Sequence, residues 1–123
     1  MKALYSLAAL AALAAGGAAE AACTYPKAPS SIPDGNTATL EEMLAAQKAV
    51  KEFDKQIIAY TNCLKLEHEA ALARDEGLTD EQKKELERIQ IQKHNAAVEA
   101  DEELAARFNE QLKVFKAKNA KKK

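Results

Sequence analysis

The chain has 123 residues, with 18 Lys and Arg against 19 Asp and Glu, and it contains no Trp and few other aromatic residues. This length suits one domain rather than two. The near balance of charge therefore indicates neither a nucleic acid nor a membrane as a partner. The scarcity of aromatic residues and the many alanines predict a thin, helical core.

Residues 1–21 have the three parts of a secretory signal peptide. Lys2 supplies a positive start, residues 3–15 are apolar, and small residues follow. The apolar run is shorter than the about 20 residues that a membrane span requires. We expect cleavage after Ala21, with cleavage after Ala19 as the alternative, and a periplasmic or secreted mature protein.

Two cysteines, Cys23 and Cys63, remain after the leader. Lipidation of Cys23 would make the protein a lipoprotein, but Glu20 stands where lipoprotein signals carry an apolar residue. We therefore expect no lipidation. An even number of cysteines in an oxidising compartment favours a disulfide between the two.

Residues 22–39 are predicted to form an extended arm. The arm carries all three prolines of the chain, which cannot donate backbone hydrogen bonds to a sheet or a helix. Pro33–Gly35 predicts a turn. Thr39 and Glu42 have the spacing of a capping box, which predicts that a helix begins at residue 40.

The first predicted helix covers residues 40–75. Apolar residues recur every three or four positions from Met43 to Leu64, which is a heptad pattern of the coiled-coil type. Gly77 is predicted to end this helix as a left-handed cap.

The second predicted helix covers residues 80–118. Thr79 and Gln82 form a second capping box at its start. The short connection predicts that the helices fold back antiparallel. The predicted fold class is therefore all-α, a long two-helix hairpin over residues 40–118, followed by a Lys-rich tail at 119–123.

The predicted disulfide can pin the arm to the hairpin. Helix 1 rises about 36 Å from residue 40 to Cys63, and the extended chain from Cys23 to Thr39 reaches about 50 Å. The arm can therefore run back along the hairpin and form a third layer. Four arm residues are predicted to cover the groove between the helices: Tyr25, Pro26, Pro29 and Ile32.

The sequence indicates no catalytic or metal-binding site. His68 and His94 lack a second ligand three or four residues away. No nucleophile has a base at a suggestive spacing. The carboxylates of 99–103 are predicted to face mostly solvent, although Asp101 and His94 share an apolar stripe of helix 2. We expect no enzyme, no cofactor and no metal.

Six lysines lie near the carboxyl end. They could bind an anionic surface, such as lipid phosphates or an acidic partner. Alternatively, they stabilise the end of helix 2 through its dipole and keep the tail soluble. Exposed hairpin faces can also pair two chains into a four-helix bundle, so a homodimer is a further expectation. The six residues are Lys113, Lys116, Lys118, Lys121, Lys122 and Lys123.

Two resemblances bear on function. The segments CTYPKAP, IPDGNTAT, EEMLAAQKAVKEF and YTNCL, between Cys23 and Leu64, resemble a group of small exported proteobacterial proteins. This resemblance implies export and the cysteine pair, and no catalysis. The segment Leu78–Gln82 resembles the Leu-Thr-x-x-Gln motif of the Spy and CpxP periplasmic stress proteins, which are helical and chaperone-like. That family carries the motif twice, whereas this chain carries it once.

We therefore expect an exported helical protein that acts by binding a protein or an envelope partner. A periplasmic stress chaperone of the Spy and CpxP type is one alternative. A structural envelope protein is the other.

Overall fold

The computed structural model describes residues 23–120. These residues form two α-helices, α1 (Leu40–Arg74) and α2 (Asp80–Ala120), and contain no strand. Neither helix in the described part is long and apolar enough to cross a membrane. The predicted signal peptide and Lys121–Lys123 lie outside the described residues.

Both helices begin where the capping boxes predict. The side chain of Thr39 accepts from the amide of Glu42 at 3.1 Å, and the Glu42 carboxylate accepts from the amide of Thr39 at 3.0 Å. Thr79 and Gln82 make the same reciprocal pair at 3.1 and 2.9 Å. Each box supplies partners for backbone N–H groups that the first turn of a helix leaves unpaired.

The predicted left-handed cap at Gly77 is wrong, since neither described glycine has a positive φ. Asp75 ends α1 in an extended conformation, with φ of −121° and ψ of 90°. Its carboxylate accepts from the amide of Gly77 at 3.1 Å, so an Asx turn makes the reversal. At the other end, α2 continues to Ala120, beyond the end predicted at 118.

The core lies between the helices and is thin, as predicted. The two helices pack against each other, and Ala97 is completely buried, which allows a close approach of the backbones. The core draws mainly on the heptad positions of α1. Its cluster of buried side chains is Phe53, Ile57, Tyr60, Leu64, Ala97 and Leu104.

The predicted disulfide between Cys23 and Cys63 is present, with a Cα–Cα distance of 5.7 Å. It holds the start of the arm against the middle of α1. Cys23 itself packs on the core cluster, as does Ile32 further along the arm. The arm therefore contributes to the core and does not only run over it.

Aromatic and proline packing continues this contact. The ring of Tyr25 meets the ring of Tyr60 edge to face, with centroids 5.2 Å apart and an interplanar angle of 74°. Pro26 is buried and Pro29 is half-buried, whereas Tyr25 keeps half of its surface exposed. Tyr25 thus covers the edge of the core and does not fill it.

A second docking point, which the sequence did not indicate, joins the arm to α2. The arm turns at Gly35, where the carbonyl of Asp34 accepts two amide hydrogen bonds from residues 37 and 38. The amide of Gly35 donates to the side-chain oxygen of Gln111 at 2.9 Å. The ammonium of Lys118 donates to the carbonyl of Asn36. The arm is therefore anchored on α1 at one end and on α2 at the other.

Gly35 is required at this point by space and not by its φ angle. It is buried against the backbone of α2. A Cβ atom built on Gly35 would overlap the carbonyl oxygen of Gln111 and lie 2.8 Å from the amide nitrogen of Phe115. Both of these are backbone atoms, so neither can move away without disturbing the helix.

Removing the disulfide should lower the free energy of unfolding by about 4 kcal/mol, because the bond closes a loop with a sequence separation of 40. Urea unfolding of the oxidised protein and of the Cys23→Ala/Cys63→Ala double variant measures this difference. Equal unfolding midpoints would contradict the view that the bond restrains the arm.

Gly35→Ala should lower the free energy of unfolding by about 1–3 kcal/mol, because the added methyl group forces the arm away from α2. Gly77→Ala is the matched control. Its Cβ would meet only a side-chain oxygen of Asp75, at the ordinary distance of 3.4 Å. If urea unfolding shows equal losses for the two variants, the arm does not depend on this close contact.

Candidate functional site

At the end near the connecting turn, the two helices have no buried residues between them. In α1 the last buried residue is Leu64, and in α2 the first is Ala97. None of the residues 65–96, here called the turn-proximal segment, is buried. The arm docks at Cys63 and Gln111, so it provides no third layer for this segment.

A groove lies between the helices in the turn-proximal segment, and we call it the inter-helix groove. It contains a half-open cavity of about 130 Å³. This volume is close to that of cavities that hold one benzene-sized apolar group. Its lining combines four apolar with four polar side chains: Leu64, Ala71, Leu86, Ile89, Glu67, His68, Gln90 and Lys93.

The inter-helix groove continues the surface that the arm covers. Glu67 follows Cys63 by four residues, so the two lie on one side of α1. Lys93 precedes Gln111 by 18 residues, which is five helical turns, so these two lie on one side of α2. The groove is therefore the uncovered extension of the arm's own docking surface.

The inter-helix groove has an apolar base and polar margins. Leu64 is buried, Ala71 and Leu86 are half-buried, and Glu67 and Lys93 are exposed. Apolar sites with a few polar groups at the edge are typical of ligand-binding surfaces. This arrangement fits a polypeptide ligand that places an apolar side chain on the base of the groove and its backbone along the margins.

The two histidines are placed differently. His68 is half-buried and lines the inter-helix groove. His94 is exposed, with Nδ1 3.4 Å from the side-chain oxygen of Asn95. Within residues 23–120, no three metal-ligating side chains lie close enough together to hold an ion.

The structure describes three of the six C-terminal lysines. Lys113, Lys116 and Lys118 are exposed on α2. Lys118 donates to the carbonyl of Asn36, so its ammonium anchors the arm. The binding of an anionic surface by these lysines stays a prediction.

A carboxyl pair between the helices is the feature that sequence reasoning missed. Glu99, Glu102 and Glu103 are exposed as predicted, whereas Asp101, on the apolar stripe of α2, is half-buried against α1. Its carboxyl group lies beside that of Asp54, and its Oδ1 atom is buried without a hydrogen-bond partner. Burial, followed by the contact with Asp54 and the charge of Glu102, raises the pKa of Asp101 to about 6. Its position on the apolar stripe of α2 was the available signal.

Stability should fall as the pH rises from about 4 to about 6.5. The pKa of Asp101 is about 6 in the native state and about 3.9 in an unfolded chain. The native state therefore binds more protons in this interval, and the stabilisation is lost as the pH rises through 6. Thermal unfolding of Asp101→Asn across this range should lack the fall, whereas Glu99→Gln, at an exposed acid of α2, should retain it. Parallel curves for Asp101→Asn and the unmodified protein would contradict the assignment.

Comparison with known proteins does not identify the chain: no family model, no curated protein and no solved structure matches it. The two resemblances to exported proteins therefore rest on the quoted residues alone.

Proposed function

We propose that this is an exported, non-catalytic protein that binds a polypeptide segment in the inter-helix groove. One observation carries the proposal. The surface on which the arm docks continues past Cys63 into a segment with an apolar groove, no buried residue and no covering layer. Apolar surface left open beside a covered part of the same groove is typical of an interaction site.

The proposal includes an antiparallel hairpin arrangement of α1 and α2. Contacting positions along the two helices change in opposite directions, which supports it. Asp54 meets Asp101, while Leu64 shares the groove with Lys93, closer to the connection at 75–79. Such an arrangement gives the inter-helix groove a continuous direction that an elongated ligand can follow.

Export is part of the proposal as well. A disulfide that joins the arm to α1 is stable in an oxidising compartment and is rare in a reducing cytosol. The leader predicted over residues 1–21 supports the same location. We propose a periplasmic or secreted protein with an unlipidated amino terminus.

The arm indicates the chemistry of the ligand. In the covered part of the hairpin, an extended chain lies along the helices and places Pro26 and Ile32 on the core. The open groove offers space for one further apolar side chain, between the exposed charges of Glu67 and Lys93. The ligand we propose is therefore an extended polypeptide segment with an apolar anchor, held much as the arm is held.

A photo-crosslinking amino acid at Ile89, which lines the groove, tests this proposal in cells that export the protein. We expect a discrete covalent adduct with another polypeptide. Ala71→Glu should reduce the adduct at least tenfold, because it places a charge on the apolar base of the groove. Ala73→Glu is the matched control, since Ala73 is exposed on the side of α1 away from the groove and should leave the adduct unchanged.

Absence of an adduct at Ile89 would overturn the proposal. Equal adduct yields for Ala71→Glu and Ala73→Glu would also overturn it, because binding would then not use the groove. Circular dichroism of both variants ensures that the helices are intact in this comparison.

A stress chaperone is the second candidate. The turn-proximal segment also exposes Leu66, Leu72 and Ile91 on other sides of the helices, which an unfolded client could contact without a shaped site. A chaperone should suppress aggregation of an unfolding client at a near-stoichiometric ratio, and its crosslinks should spread over many proteins. A dedicated binding protein should give one adduct and leave client aggregation unchanged.

A further inference from the structure

A second surface pattern lies on α1, on the side away from the core. From Leu40 to Leu66, exposed residues recur every three or four positions in an unbroken row. This spacing places them along one face of the helix, over about 39 Å. We call this row the outer stripe. Its members are Leu40, Leu44, Lys48, Lys51, Lys55, Ile58, Asn62 and Leu66.

The apolar members of the outer stripe have little contact with the rest of the chain. Leu40 is 60% exposed, Leu44 54%, Ile58 52% and Leu66 65%. Single exposed apolar residues are common on protein surfaces. Here, however, four of them are aligned on one face of α1. The core does not account for this alignment, because α1 buries its heptad positions there instead.

The charged members of the outer stripe are all positive. Lys48, Lys51 and Lys55 occupy its middle, and no acidic residue falls on the row. One acidic residue, Glu52, lies beside these lysines, and its carboxylate accepts from the side-chain amide of Gln56. None of the three lysines forms an ion pair within residues 23–120. With three lysines beside one carboxylate, the stripe presents a net positive charge between apolar ends.

We propose that the outer stripe binds the surface of an anionic phospholipid bilayer, with α1 lying in the plane of the interface. Exposed Leu and Ile side chains can enter the boundary of the acyl region, as in interfacial amphipathic helices. Lysines beside them extend their apolar stems along the surface and place their ammonium groups among the phosphates. The charge of the stripe is complementary to such a surface.

The shape of the outer stripe favours a lipid surface over an acidic protein. The stripe is straight, convex and one helix wide. A planar, fluid surface can meet all eight side chains at once, whereas an acidic protein would need a groove of matching length. The stripe lies on the side of α1 opposite the core, so the arm and the inter-helix groove remain free. This binding is therefore independent of the proposed polypeptide binding.

Sedimentation with vesicles tests this proposal, using phosphatidylglycerol mixed with phosphatidylcholine against phosphatidylcholine alone. We expect binding to the anionic vesicles only, weakening as salt rises. Lys51→Glu/Lys55→Glu should weaken binding to the anionic vesicles at least about 25-fold, because the loss of each lysine from the surface lowers the affinity about fivefold. Lys83→Glu/Lys84→Glu, an equal change of charge at exposed sites on α2, should weaken it far less.

Two further variants separate lipid binding by the outer stripe from binding by charge alone. Leu44→Gln/Ile58→Gln should weaken vesicle binding about tenfold and leave the helices intact, because both side chains are exposed. Removal of Lys121–Lys123 should leave most of the binding. Equal losses for the two lysine pairs, or loss of binding only on removal of the tail, would overturn the proposal. Tight binding to polyglutamate that is insensitive to Leu44→Gln/Ile58→Gln, without vesicle binding, would assign the stripe to an acidic protein and also overturn it.

Discussion

Two helices packed side by side leave one side of their shared groove open, and here the arm closes part of it. The disulfide fixes the start of the arm to Cys63 on α1. The turn at Gly35 fixes its other end to Gln111 on α2. The rest of the structure depends on this two-point attachment, because the thin core has buried side chains only in the part of the helix pair where the arm lies.

The same attachment decides where the molecule remains open. The arm leaves the turn-proximal segment, residues 65–96, without a buried side chain. The inter-helix groove there is thus the uncovered remainder of a surface that already accommodates an extended chain. On the opposite side of α1, the outer stripe presents leucines and lysines that no described part of the chain covers. The helix pair therefore offers one concave apolar site and one convex basic surface.

Local patterns predicted the elements well. The capping boxes gave both helix starts, the heptad positions gave the buried face of α1, and the cysteine count gave the disulfide. The contacts between distant positions could not be predicted in this way. Docking of Gly35 on Gln111 depends on how two helices and an arm meet in space, and periodicity carries no information on that. The pairing of Asp101 with Asp54 was not predicted for the same reason, because the two residues come from different helices. Asp75, rather than Gly77, ended α1 because an Asx turn reverses the chain without a positive φ.

Hydrogen–deuterium exchange tests the central claim most directly, namely that the arm stabilises one part of the helix pair and leaves the other open. In the oxidised protein, amides of residues 43–64 and 97–112 should exchange slowly, and those of residues 65–96 should exchange much faster. Reduction of the disulfide should accelerate exchange in the first two regions and leave the third nearly unchanged. Uniform protection along both helices, or no response to reduction, would contradict the account.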